Sequence, residues 1–159
     1  MKKPKISSNM EDYLEAIAGL KKDKGVARVR DISRLMNVQK PSVTAALNTL
    51  SKDGLVIHEK YGYAELTKKG ERIAQSIQNR HAILLKFLTE ILNIDLKTAS
   101  KDACRMEHST SPESMAKLTK FIEFMENCPE EGRPTWLKNF DYYARTGKHL
   151  KCQKESSKK

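Results

Sequence analysis

The sequence predicts a mainly α protein with a single β-hairpin in its first half. Three observations carry that expectation. Apolar residues recur at three- and four-residue steps along most of the chain. Capping and breaking residues (Ser8, Gly25, Pro41, Gly54, Thr67, Ser111) fall where those stripes begin and end. One stretch alone, "LVIHEKYGYAELT", is β-rich, and Tyr61-Gly62 gives it a turn. With 159 residues, the chain can form one large domain or two small ones with a real core.

The elements follow in order. "SSNMEDYLEAIAGL" opens on Ser8 with Glu11 three residues on, the pattern of a capping box. Tyr13, Leu14, Ile17 and Leu20 form the stripe of a helix over residues 9–22, and Gly25 stops it. In "VRDISRLMNVQKPSVTAALNTLSKDG", Val29, Ile32, Leu35 and Met36 predict a short amphipathic helix. Asn37-Val38-Gln39 is a turn, and Pro41 suits a first helical position, where its missing N–H costs nothing. Val43, Ala46, Leu47 and Leu50 then face inward, up to Gly54. Two short helices and a tight turn make a helix-turn-helix. With the hairpin added, it is a winged helix-turn-helix.

That motif has an outward face. Ser42, Thr44, Ala45 and Asn48 are small or polar residues able to approach base edges, and Lys52 suits phosphate. Gln39, Lys40 and Pro41 lead into the helix and complete the candidate DNA-facing set, with Lys60 and Tyr61 at the wing tip. Charge agrees. Residues 1–80 hold 16 basic and 9 acidic side chains, whereas residues 81–127 hold 6 and 7. A basic first half ahead of a neutral middle suits a polyanion-binding module joined to something else.

Thr67 is placed to cap a long helix, in which Ile73, Ile77, Leu84, Leu85, Leu88, Ile91 and Leu92 form a stripe that includes His81. "LKTASKDACRMEHST" predicts another helix on Leu96, Ala99, Ala103 and Met106. Another, from Ser111 or Pro112, runs through Phe121, Ile122, Phe124 and Met125. These helices carry more apolar surface than a short domain covers alone, which predicts a dimer. The expected division is 1–72 for the winged helix, 73–127 for an all-helical dimerisation domain, and 128–159 for an extension with one aromatic-rich helix (Trp136, Phe140, Tyr142, Tyr143) and a basic tail.

Cys104, Glu107 and His108 sit at i, i+3 and i+4, so one helix face would carry a thiol, a carboxylate and an imidazole. That face lies roughly a quarter turn from the apolar stripe, at ~100° per residue. No apolar run approaches a membrane span and no secretory signal opens the chain, so a cytoplasmic protein with reduced thiols is expected. There is no HExxH, nucleophile elbow or Gly-rich phosphate loop, so neither an enzyme nor a small-molecule substrate is expected. A metal-independent regulator sensing a small molecule, or oxidation at Cys104, is the alternative.

"MEDYLEAI", "VQKPSVTAALNTLSKDGLVIHEKYGYAELTKKG", "NRHAILLKFL" and "CRMEH", in that order over roughly residues 9–127, resemble the diphtheria toxin repressor and manganese transport regulator family. The resemblance implies a winged helix followed by a helical dimerisation domain. It also implies a repressor that binds a palindromic DNA operator as a homodimer once Fe2+ or Mn2+ is bound. The chain is too short for the SH3-like domain of some members, and so is similar to the shorter branch. Carried over one by one, the implied metal ligands are Asp12, Glu15, His81, Cys104, Glu107 and His108. The set is a hybrid, since manganese-type members have Glu at the position of Cys104, and iron-type members usually have Met at that of Asp12. A soft thiolate favours Fe2+, Zn2+ or Co2+ over Mn2+, and the donor set as a whole leans to Fe2+. Cys128, His149 and Cys152 are wide-spaced candidates for a second metal.

Overall fold

The computed structural model describes residues 6–58, 62–128 and 132–149. The chain divides into two units, one of residues 1–82 with 104–109 and one of residues 83–103 with 110–159.

The first unit begins with α1 (Ser8–Lys24). Its cap is Ser7, not Ser8: the Ser7 side chain accepts from the Met10 N–H. The frame of the expected capping box is therefore wrong by one residue. Glu11 falls one place beyond the position that would reach back to the cap, and its carboxylate is free for other work. Gly25 ends the helix in the left-handed region, at φ 74°, where only glycine is at ease.

A two-residue strand, β1 (Ala27–Arg28), leads into α2 (Val29–Met36) and α3 (Lys40–Lys52). Asn37 makes the turn between the helices at φ 53°, and the Ser33 hydroxyl donates to the Val38 carbonyl at 2.6 Å. The hairpin strands are β2 (Val56–His58) and β3 (Tyr63–Leu66). The sheet is antiparallel in the order β1-β3-β2, with Ala27 opposite Ala64 and Val56 opposite Leu66. Thr67 caps α4 (Lys68–Lys86) as expected, accepting from the Gly70 N–H at 3.1 Å while donating to the Gly54 carbonyl at 2.8 Å. Any side chain at Gly70 would collide with the Leu55 carbonyl, because a Cβ there would lie 2.1 Å from its oxygen.

The core of this unit joins Leu14 and Ile17 of α1, Ile32 of α2, Val43, Leu47 and Leu50 of α3, and Leu55, Val56 and Leu66 around the hairpin. Each buried aliphatic side chain contributes about 1.5–3 kcal/mol. Leu35 departs from the expected stripe and is mostly exposed. In an eight-residue helix only the face toward α1 and α3 is covered.

In the second unit the chain leaves α4 through a π-helical turn, Phe87–Ile91. It continues as α5 (Leu96–Glu107), α6 (Pro112–Glu126) and α7 (Thr135–Thr146). Ser111 caps α6, accepting from the Ser114 N–H. Leu84, Leu88, Ala99, Ala103 and Met115 form one cluster; Ile91, Ile122 and Leu137 form another. Arg133 secures the π-helical turn, donating to the carbonyls of Glu90 and Ile91 and pairing with Asp141. The expected extension helix exists, but its buried anchor is Leu137. Trp136, Phe140 and Tyr143 remain partly exposed, as do Leu96, Met106 and Phe124 of the expected stripes. Helical period shows which residues share a face, not whether a neighbour within the same chain covers it.

Candidate metal centre

The candidate site lies within the first unit. α1 supplies Glu11, Asp12 and Glu15; α4 supplies Arg80 and His81; the end of α5 supplies Cys104 and Glu107. His108 is one residue past the last helical position, so it occupies the turn and not the helix face that its i+4 spacing suggests.

Glu107 is the centre of the arrangement. It is 0% exposed, a rare state for a carboxylate. Its Oε2 lies 2.8 Å from His81 Nδ1, and its Oε1 lies 3.3 Å from His108 Nε2. His108 Nε2 also lies 2.8 Å from Asp12 Oδ1, while its Nδ1 lies 2.7 Å from Glu11 Oε2. The two contacts to Nε2 are close but not aligned as hydrogen bonds: Glu107 Oε1 and His108 Nε2 are both buried without a hydrogen-bond partner. Cys104, Glu107 and His108 each offer a ligand atom, all within 4.8 Å of one another. Ligand atoms around one cation are separated by at most twice the bond length, roughly 4–5 Å. Donor atoms that crowd together without bonding to one another suit a shared divalent ion, and on this ground the residues fit a metal.

The electrostatics agree. Burial raises the Glu107 carboxyl, the charge of Glu15 raises it further, and His81 opposes both. Burial and the carboxylates of Glu107, Asp12 and Glu15 likewise push the Cys104 thiol up. For His108, burial alone would lower the imidazole, but the Glu11 hydrogen bond and the charges of Asp12 and Glu107 outweigh it and raise the group. Glu15 makes itself felt at the centre through these charge effects. Two participants were not expected from the sequence, Glu11 and Arg80, whose Nη2 lies 3.4 Å from Glu11 Oε1. Glu11 was masked by its apparent role in a cap.

The other candidates are elsewhere. Gln39, Lys40, Pro41, Ser42, Thr44, Asn48 and Lys52 are all exposed, and Val43, Ala46, Leu47 and Leu50 are buried beneath them. Pro41 occupies the second helical position, since α3 begins at Lys40. Gln39 is the cap residue but makes no side-chain cap bond, and the Thr44 hydroxyl donates back to the Lys40 carbonyl. Lys60, Tyr61 and Cys152 lie outside the described residues. His149 stacks on Tyr143, with ring centroids 4.4 Å apart. Among the described residues, neither it nor Cys128 joins a metal-capable cluster. No described helix is long and apolar enough to cross a membrane.

Comparison with known proteins accounts for both halves. Residues 5–64 match the N-terminal DNA-binding domain of the iron-dependent repressors, and residues 67–136 match their metal-binding and dimerisation domain. The chain is 35% identical over 122 residues to the HTH-type transcriptional regulator MntR of Lysinibacillus sphaericus, covering 77% of this chain and 87% of that protein. It is 38% identical over 122 residues to the MntR of Listeria welshimeri, covering 77% and 85%. Among solved structures it is similar to IdeR of T. acidophilum, with a TM-score of 0.65 and 28% identity. That match covers 71% of this chain and 53% of the other, so it spans about half the IdeR chain. The manganese regulator SloR gives a TM-score of 0.66 at 29% identity, covering 81% and 63%. The chain belongs to the iron-dependent repressor family of metal-dependent transcriptional regulators, which are DNA-binding proteins and not enzymes.

Proposed function

We propose that this protein is a repressor that binds a palindromic operator as a homodimer when Fe2+ or Mn2+ is bound, working in the cytoplasm on genes of metal homeostasis. The observation that carries this is the buried, unpartnered pair Glu107 Oε1 and His108 Nε2. Asp12, Glu15, His81, Cys104, Glu107 and His108 would hold the metal. A divalent cation supplies there the positive charge that four carboxylate and thiol groups lack. The chain's own residues do the rest. Asp12 and Glu15 sit on α1, which shares a core with the recognition helix α3. Glu107 and His108 end the α5 segment. Neutralising the repulsion among the carboxylates of Asp12, Glu15 and Glu107 favours the conformers in which residues 104–109 rest against α1. A palindrome with half-sites about 34–36 Å apart accepts one spacing of the two recognition helices, so narrowing the conformers favours binding. Linkage makes the effect reciprocal: operator DNA must tighten metal binding by the factor by which metal tightens operator binding. The similarity to SloR, a manganese regulator, supports Mn2+, and the soft donor at Cys104 supports Fe2+.

DNA binding by the full chain, with and without chelator, tests the proposal. Affinity for a palindromic duplex should fall steeply with salt, because phosphate neutralisation releases counterions. Lys52→Ala should weaken all sequences alike and reduce the salt slope by about one. Substitutions at Ser42 or Thr44 should change sequence preference instead. Affinity that is flat between low and moderate salt would refute DNA binding of this kind.

Metal affinity should also depend on pH. Glu107, Cys104 and His108 all hold protons more tightly than usual, and a metal must displace them. The apparent affinity should therefore rise from about pH 6 to about pH 8. Metal titrations across that range check this, and an affinity independent of pH would exclude these groups as ligands.

A further inference from the structure

We propose that Glu11, itself held by Arg80, is a positioning residue that fixes the tautomer and rotation of His108, so that Nε2 is the nitrogen offered to the metal. The inference rests on His108 being a ligand and deepens that assignment.

Glu11 is the fourth residue of α1, where an acidic side chain has a simpler use, favouring the helix N-terminus from solvent. It does not behave that way. Its side chain is only 17% exposed, and its two oxygens go to partners distant in sequence. Oε2 lies 2.7 Å from His108 Nδ1, and Oε1 lies 3.4 Å from Arg80 Nη2. A carboxylate anchored at one oxygen and engaged at the other has its plane set. An ionised carboxylate only accepts, so the Nδ1 facing it must carry the proton. In the neutral imidazole, Nε2 is then bare, with its lone pair directed away from Glu11. That atom is the buried one without a hydrogen-bond partner, beside Asp12 Oδ1 and Glu107 Oε1. His81 differs, because the carboxylate on its Nδ1 is Glu107, itself a candidate ligand. His108 alone is oriented by a carboxylate outside the candidate ligand set. A histidine ligand commonly has its other nitrogen fixed in this way, and loss of the partner typically costs 10–100-fold in metal affinity.

The test uses the full-length protein and Co2+ alone as the probe, without DNA. Glu11→Ala should weaken Co2+ binding about 10–100-fold. Glu11→Gln, whose amide oxygen still accepts from Nδ1–H, should recover most of that loss. Arg80→Ala should weaken binding by less than Glu11→Ala. In the metal-free protein at alkaline pH, where the His108 imidazole is neutral, nitrogen NMR should show the ring protonated at Nδ1 alone in the wild type and as a tautomer mixture in Glu11→Ala. A purely structural role would not move that signature. Adding Glu11→Ala to His108→Ala should produce no further loss. If His108→Ala leaves Co2+ affinity unchanged, His108 is not a ligand and the site assignment itself fails. If His108→Ala weakens binding but Glu11→Ala does not, the positioning role alone is overturned. A Glu11→Gln variant as weak as Glu11→Ala also overturns it, pointing to charge or direct ligation. If Glu11→Ala unfolds, the Gln variant and its NMR signature decide between these outcomes.

Discussion

Glu107→Gln and His108→Ala should each abolish metal-stimulated operator binding and leave a folded dimer. Either change removes one of the two buried, unpartnered donor atoms at the centre. A ligand should matter at least as much as an outer partner, so metal affinity should drop about 100-fold or more. The metal-free protein should behave in the opposite sense. Burial, and then the charge of Glu15, raise the Glu107 carboxyl in the folded state. A carboxyl raised on folding binds its proton more tightly in the native than in the unfolded chain. Its ionisation therefore costs stability, and the cost grows as pH rises above the unfolded value of about 4.3. At neutral pH that cost is present, and Glu107→Gln removes it while keeping an amide oxygen for His81. The metal-free thermal midpoint should be equal to the wild type or higher by about 2–4 °C. A site kept at the expense of stability is the expected signature of function. Circular dichroism and sedimentation check fold and dimer; fluorescence anisotropy with labelled operator checks the response. Variants that still respond fully to metal would eliminate the site.

Cys104→Glu should shift the activating metal toward Mn2+. The wild-type set combines hard oxygen donors at Asp12, Glu15 and Glu107 with one soft sulfur. A carboxylate at 104 would make the set harder, and could bridge two ions as a terminal thiolate does not. The ratio of activating Fe2+ to Mn2+ concentrations should rise accordingly. Burial and the charges of Glu107, Asp12 and Glu15 raise the Cys104 thiol, so ligation there would require a cation to displace its proton. Direct ligation predicts a sulfur-to-metal charge-transfer band with Co2+ that disappears in Cys104→Ser. Absence of that band, together with activation by Mn2+ at lower concentration than Fe2+ without oxygen, would overturn the iron assignment.

Short-range chemistry was the most legible part of the sequence. Thr67 and Ser111 cap helices because their partners lie three residues away, and the hairpin is marked by its own turn. Elements without a period of their own were hidden. β1 is two residues long, and the π-helical turn at Phe87–Ile91 keeps the apolar spacing of an ordinary helix. Exposure of Leu35, Leu96 and Phe124 depends on what lies opposite, which spacing does not encode. At the candidate site, Cys104, Glu107 and His108 drew attention by residue type and spacing, whereas Asp12, Glu15 and His81 entered only through the family resemblance. Glu11 and Arg80 drew none, since their partners lie 97 and 69 residues away along the chain. A shift of one residue in the first cap separated Glu11 from its apparent role.

The first unit is completed only when residues 104–109 return to it. No single cut can therefore release it whole. A fragment ending at residue 82 would keep the helix-turn-helix, the hairpin, Asp12, Glu15 and His81. It would lack Cys104, Glu107 and His108, and Glu11 would face no imidazole. Fused to a foreign dimerising module, such a fragment could still read DNA but would be deaf to metal. Recombination that trades DNA-reading heads among regulators would thus have to carry the chain through Ser109, taking the intervening helical segment with it. On the proposed ligand set, sensing would be inherited with the turn after α5, not with the head alone.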